Sequence, residues 1–204
     1  MKIICIGRNY SAHALELKHS IPSEPIFFLK PDTALAQSDE PFYLPDFSQQ
    51  IEYECELVVK INKVGKSIEK NFAHNYYNEV ALGLDITARD IQQNEISNGL
   101  PWSLSKTFDY SAPLSAFVSL SELGKDVQNI DFNLLKNGVI VQQANTGNML
   151  FGVDELIAYL SRFITLKVGD LIFTGTPSGV GKMEAGDYLE CYLEGRKMLN
   201  IAVK

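Results

Sequence analysis

The chain has 204 residues, enough for one domain with a substantial core, and an ordinary composition for a globular protein. Its net charge of −7 argues against nonspecific binding to nucleic-acid phosphates. No apolar run approaches the roughly 20 residues needed to span a membrane, and the short start Met1–Gly7 has no signal-peptide signature, so a cytoplasmic protein with no membrane partner is the expectation. In chain order, residues 2–6 read as a strand and 10–18 as a helix with Ala12, Leu15 and Leu17 as packing residues. Pro22, Pro25, Pro31, Pro41 and Pro45 cut the next stretch into short extended pieces such as Ile26-Phe27-Phe28-Leu29. Residues 52–62 read as a strand, 67–74 as a short helix and 78–86 as a mostly buried strand. Thr87-Ala88-Arg89-Asp90 has the spacing of a helix start, with Thr87 as N-cap. Asn137-Gly138 turns one hairpin and Glu194-Gly195 a second. Asp154 is placed to cap a helix over 155–164 whose apolar face is Leu156, Ile157, Leu160 and Phe163. Many short strands and few helices predict a mainly β, α+β fold over residues 1–204, without an internal linker or repeat.

The chemistry is concentrated in a few segments. In Tyr53-Glu54-Cys55-Glu56-Leu57-Val58-Val59, the period of two puts Glu54 and Glu56 on one strand face and Cys55 on the other. Two acids side by side repel unless a cation lies between them, and a hard divalent ion fits oxygen ligands. A half-exposed strand with a charged outer face accounts for the same pair. Asp85 closes the apolar run Val80–Leu84 at a strand mouth, where it is either a third metal ligand or a turn residue. His13 and Glu16 share a helix face, the wiring of a general base oriented by a carboxylate or of a surface ion pair. Arg89 and Gln92 are one helical turn apart, and Lys106 alternates with apolar residues between Trp102 and Phe108. An ordinary polar helix face and a solvated strand edge explain these equally.

Cys5, Cys55 and Cys191 are odd in number and widely spaced, and two of them sit in apolar runs, which predicts buried free thiols. Thr174-Gly175-Thr176-Pro177-Ser178-Gly179-Val180-Gly181-Lys182 is not a P-loop. Val180 replaces the second glycine, and Met183 stands where Ser or Thr would hold Mg²⁺. A tight turn offering backbone N–H groups and the Thr176 hydroxyl to a small carboxylate is the remaining reading.

Taken together these segments resemble the fumarylacetoacetate hydrolase family, in particular its short acylpyruvase-like branch. The resemblance rests on Gly7-Arg8-Asn9-Tyr10 with His13 and Glu16, on Phe28-Leu29-Lys30-Pro31, and on Glu54-Cys55-Glu56-Leu57. It continues through Leu84-Asp85-Ile86-Thr87-Ala88-Arg89-Asp90-Ile91-Gln92, Leu100-Pro101-Trp102 to Lys106, and Gly169-Asp170 leading into Thr174-Gly175-Thr176-Pro177. It implies the family's own β-rich fold with mixed sheets and few short helices, a homodimer, and one Mg²⁺ or Mn²⁺ held by Glu54, Glu56 and Asp85. His13 and Glu16 would form the catalytic dyad on a lid within residues 1–20, with Lys106 stabilising enolate charge. Arg8, Arg89, Gln92 and Thr176 would line the site for a small 2-keto acid. The implied reaction is hydrolysis of the C–C bond of an acylpyruvate to pyruvate and a carboxylate. Decarboxylation or tautomerisation of oxaloacetate, or isomerisation of 2-hydroxyhepta-2,4-diene-1,7-dioate, is the alternative on the same site. A non-catalytic module using the acids for structural Ca²⁺ would need neither a base nor substrate cations, and His13, Glu16, Arg89 and Lys106 supply both.

Overall fold

The computed structural model describes residues 1–17, 20–37 and 40–204. His19, to which the sequence assigns no role, and Lys18, the end of the expected first helix, lie outside them. Strands dominate and helices are short, the longest being Val153–Phe163. An eight-stranded mixed sheet forms the centre, its path running through Ile26–Lys30, Ile3–Gly7, Leu171–Phe173, Cys55–Ile61, Tyr77–Leu84, Ala112–Leu114 and Leu35–Gln37, with Val118–Ser119 pairing off this path with Tyr77–Leu84. Ile3–Gly7 pairs with Leu171–Phe173 in parallel, and the two central neighbours Cys55–Ile61 and Tyr77–Leu84 are antiparallel. A four-stranded antiparallel sheet is built from the two hairpins, whose turns have positive φ at Asn137, Gly138, Glu194 and Gly195. Among the described residues no helix is long and apolar enough to cross a membrane.

Alternation along Cys55–Ile61 divides the core. Cys55, Leu57, Val59 and Ile61 join one large cluster with Phe132, Leu134, Cys191 and Leu193 of the four-stranded sheet and with Leu156, Ile157 and Leu160. Val58 faces the other way, into a smaller cluster with Ile3, Cys5, Ala81 and Phe173. All three cysteines are buried free thiols. The even-numbered face of this strand is the one that carries Glu56.

Several local expectations give way to tertiary contacts. The strand expected over 52–62 is two strands: Ile51–Tyr53 belongs to a separate three-stranded sheet, and the chain passes between sheets at Glu54. The helix Ser11–Glu16 buries His13 and Ala14, while Ala12 and Leu15 are exposed, because it covers a polar cavity and not the apolar core. Thr87 is in a two-residue strand and its hydroxyl donates to Asp85 O, so it does not cap the helix Arg89–Ser97. Gly152 is the N-cap of Val153–Phe163, Asp154 instead accepts from Tyr77 Oη, and Phe163 is exposed. The segment expected as a helix over 67–74 is a 3₁₀ turn, Lys70–Tyr76.

Candidate active site

The acids meet because of strand register. Cys55 pairs with Leu84 and Glu56 with Gly83, so the next step of the ladder sets Asp85 beside Glu54, and Asp85 N donates to Glu54 O at 2.8 Å. Glu54, Glu56 and Asp85 then project from one face. Each offers a carboxylate oxygen within 4.8 Å of the others, and all three are buried. Burial and the neighbouring Asp85 and Glu54 push the Glu56 carboxyl well above the usual carboxylate range. Asp85 Oδ1 has no hydrogen-bond partner, although the Lys30 ammonium lies 2.9 Å from it as an ion pair. Three converging buried carboxylates, one repelled and one with an unsatisfied oxygen, are a donor set suited to a hard divalent cation.

Three buried cations surround them. Lys106 Nζ donates to Glu54 Oε2 at 2.8 Å, Asp85 Oδ2 at 2.7 Å and Thr87 Oγ1 at 2.6 Å. Burial opposes its charge, but Asp85 and Glu54 outweigh it and hold the ammonium protonated more firmly than usual. Arg89 Nε donates to Glu52 Oε2 at 2.7 Å, Nη2 to Glu54 and Nη1 to Gln92. Burial would raise the Glu54 carboxyl, yet Lys106 and Arg89 keep it well below the usual range. Lys106 ends the short helix Ser103–Lys106, which is anchored at both ends. Glu95 accepts from Leu104 N at 2.9 Å and from the Ser105 hydroxyl, and Lys30 Nζ donates to Lys106 O at 2.5 Å.

The third wall is the loop after Leu171–Phe173. Thr174 N and its hydroxyl donate to Leu57 O, and Gly175 N donates to Glu56 Oε2 at 2.7 Å. Gly175 has φ +99°, and a Cβ there would come within 2.7 Å of Asn9 Cβ, so this approach needs glycine. The Thr176 hydroxyl is committed to the scaffold, donating to Cys55 O at 2.9 Å and accepting from Gln142 Nε2 at 2.9 Å. The hydroxyl thus braces the loop, and Thr176 also lines the cavity.

Over the acids sits the helix Ser11–Glu16. His13 is 5 % exposed, and burial lowers its imidazole below the ordinary value, more than Glu54 and Glu16 raise it. Its Nδ1 lies 3.5 Å from Glu16 Oε2, a distance of ion-pair range without a formed hydrogen bond. The cavity between helix and acids is about 30 Å³, room for about one water. Nine of the ten residues singled out in the sequence line it: Arg8, His13, Glu54, Glu56, Asp85, Arg89, Gln92, Lys106 and Thr176. Glu16 stands at its rim. A larger groove of about 940 Å³, walled by Phe42, Tyr43, Phe47, Phe108 and Tyr110, lies away from these groups.

Sequence reasoning missed four supports. Glu52 shares the period-two parity of Glu54 and Glu56, a signal that was present. Lys30 ends an apolar run, Ile26–Leu29, and a lysine there is placed to enter the core. Asn9, which bonds Thr174 O, Phe151 O and Phe151 N, belongs to the Gly7-Arg8-Asn9-Tyr10 pattern but is given no role there, and Gln142, which bonds Cys55 N, carries no local signal.

The profile of the Fumarylacetoacetate (FAA) hydrolase C-terminal family matches residues 2–203. The mitochondrial oxaloacetate tautomerase of Mus musculus is 40% identical over 202 residues, 99% of this chain and 91% of the relative. The mitochondrial oxaloacetate decarboxylase of Dictyostelium discoideum is 43% identical over 195 residues, 95% of this chain and 89% of the relative. Among solved structures, the fumarylpyruvate hydrolase of Pseudomonas aeruginosa in complex with Mn²⁺ and pyruvate superposes with a TM-score of 0.94 at 35% identity, covering 100% of this chain and 89% of that one.

Proposed function

The chain belongs to the fumarylacetoacetate hydrolase family, and from that premise we propose that it acts on small 2-oxo acids, interconverting the keto and enol forms of oxaloacetate. The observation that carries this reading is the meeting of three buried carboxylates with the buried side chains of Lys106 and His13 in one cavity. Glu54, Glu56 and Asp85 are the residues that would hold a divalent ion, Mg²⁺ or Mn²⁺. When bound, such an ion supplies Lewis acidity toward the 2-oxo group and offsets enolate charge.

The chain's own residues supply the rest. His13, neutral because it is buried, accepts the proton that leaves C3 of the keto form; the enolate oxygen then takes a proton back from the imidazolium, which gives the enol and restores the base, and the reverse direction runs the same two transfers backward. Glu16 orients the imidazole and favours its transient charge. The Lys106 ammonium donates toward the oxygen on which negative charge develops. Arg89, held by Glu52, Glu54 and Gln92, positions the Glu54 carboxylate and has few donors left for a substrate. The helix Ser11–Glu16 excludes water when closed, which suits proton transfer at carbon.

The two curated relatives carry oxaloacetate chemistry in their names, which favours this reading over acylpyruvate hydrolysis. Hydrolysis is the second reading, supported by the fumarylpyruvate hydrolase likeness and by the same His13, which as a neutral base would activate water. Incubation with Mg²⁺ and, in parallel, enol-oxaloacetate and acetylpyruvate separates them. Loss of the enol absorbance of oxaloacetate without CO₂ release is expected. Cleavage of acetylpyruvate at a much higher kcat/KM would replace the first reading by the second, and CO₂ release would make the protein a decarboxylase. A homodimer belongs to the same proposal, and light scattering at the mass of one chain would remove it.

A further inference from the structure

We infer that Arg8 recognises a second carboxylate at the far end of the substrate, which makes the site selective for dicarboxylic 2-oxo acids. The inference rests on the reading above, in which the 2-oxo acid head is held at Glu54, Glu56 and Asp85. The cations at that inner end are already committed to protein carboxylates. Lys106 bridges Glu54 and Asp85, Lys30 meets Asp85, and Arg89 joins Glu52 to Glu54. Arg8 is different. It lines the same cavity, yet among the described residues no carboxylate lies within ion-pair distance of its guanidinium, and no side chain accepts a hydrogen bond from it. It lies instead over the Trp102 indole, 5.6 Å from the ring centroid.

The position is built, not incidental. Arg8 has φ +60°, a backbone conformation that disfavours a residue with a Cβ and persists only when the surroundings impose it. They do so on both sides. Gly7 has no Cβ, and one would come within 3.1 Å of the Trp102 ring, so glycine lets the indole close on the strand end. Phe28 packs edge-on against the other part of that indole at 5.8 Å. Asn9 is tied by its side chain to Thr174 O and to both backbone groups of Phe151. The guanidinium is half-buried, and this desolvation makes its charge less favourable than in water. A partly buried guanidinium with no anion beside it has its planar fork of donors to offer, and a carboxylate is its natural complement. Trp102 and Phe28, which pack together beside Arg8, bring no competing charge.

The test compares ligands that share the 2-oxo acid head and differ at the tail. Binding to the Mg²⁺-loaded protein is measured by calorimetry for oxalate, which has no tail, and for 2-oxoglutarate and 2-oxopentanoate, which end in carboxylate and methyl. Wild type is expected to bind 2-oxoglutarate at least about tenfold more tightly than 2-oxopentanoate, the range of one charged hydrogen-bonded contact. Arg8→Gln, which keeps a Cβ and so the same backbone strain, is expected to erase that preference and raise KM for oxaloacetate. It should leave oxalate affinity within about twofold, which also reports correct folding. Arg8→Lys is expected to restore part of the preference, because it keeps the charge and loses the planar fork. Oxalate binding with a tail preference unchanged in Arg8→Gln overturns the inference alone. Failure of wild type to bind oxalate overturns the reading beneath it and the inference together.

Discussion

Both carboxylate oxygens of Glu16 accept from the backbone N–H of Gly179, each at 3.1 Å. The partner that orients His13 is thus fastened to the loop whose beginning, Gly175, holds Glu56. Gly179 has φ +98°, and a Cβ there would come within 2.0 Å of Val141 O, so only glycine allows this approach. Gly179→Ala is expected to shift the loop and release Glu16, lowering kcat by about tenfold or more, since small misplacements of a catalytic group are costly. Glu16→Gln removes the charge directly and should lower kcat on the order of 10²-fold. Steady-state kinetics and Mg²⁺ calorimetry check both. Weakened metal binding in Glu16→Gln would place Glu16 in the metal shell and not beside the base.

The protonation of His13 gives the pH dependence a definite sign. Burial lowers its value below the ordinary 6.5, against the opposing pull of Glu54 and Glu16. The neutral imidazole is therefore the working form at neutral pH, and kcat/KM should fall on the acid side with an inflection below 6.5. Because the folded value is depressed, the associated stability is present above 6.5 and is lost as pH falls through the folded value. Glu16→Gln removes one upward influence and should move the acid limb lower still. A limb at or above 6.5 in the pH–rate profile would contradict the burial of a neutral His13.

Glu54 and Glu56 look equivalent in sequence and should behave differently on substitution. Glu54 is the counter-charge of Arg89 and Lys106, and Glu54→Gln leaves two buried cations short of an anion, at about 3–5 kcal/mol. Glu56 is repelled by its neighbours, and Glu56→Gln keeps an acceptor for Gly175 N, so its stability without metal should be near wild type or above. Urea unfolding without divalent ions measures this difference. Mg²⁺ or Mn²⁺ should raise the Tm of wild type and of neither variant, because ligand bound only to the folded state stabilises it. A wild-type Tm indifferent to both ions would remove the metal assignment.

The sequence made some of this geometry readable and hid the rest for physical reasons. The facing of Glu54 and Glu56 follows from the two-residue period, which holds even though the chain changes sheets at Glu54, because the parity survives the bend. Asp85 was readable as a strand-end acid, but its place beside Glu54 depends on register, which no local pattern encodes. Ser11–Glu16 misleads because its one leucine, Leu15, is exposed while His13 is buried: a helix that covers a polar cavity reverses the usual amphipathic rule. The scaffold bonds of Arg89 and Thr176 are hidden from the sequence because their partners, Glu52 and Gln142, are 37 and 34 residues away. The pairing of Lys30 with Asp85 is equally non-local.

Gly169-Asp170, part of the family-like pattern, is a structural clasp far from the acids. Asp170 Oδ1 accepts from Lys2 N at 2.8 Å and Oδ2 from Lys167 N at 2.7 Å, with Lys2 Nζ at 2.5 Å from Oδ2. It thereby fixes the parallel pairing of Ile3–Gly7 with Leu171–Phe173, the two strands whose far ends lead into Arg8 and into the Thr174–Thr176 wall. Burial opposes the Asp170 charge, but Lys2 and the two N–H donors outweigh it and hold its carboxyl below the ordinary 3.8. A depressed carboxylate contributes stability that is present above 3.8 and lost as pH falls through the folded value. Asp170→Asn should therefore cost about 1–3 kcal/mol at neutral pH, the loss of charge-assisted bonds to buried N–H groups, and the gap to wild type should close in acid. Urea denaturation at neutral and strongly acidic pH measures both values, and kcat/KM at neutral pH measured alongside should stay near wild type. A tenfold loss of kcat/KM with unchanged stability would make Asp170 part of the active site and not the clasp that aligns it.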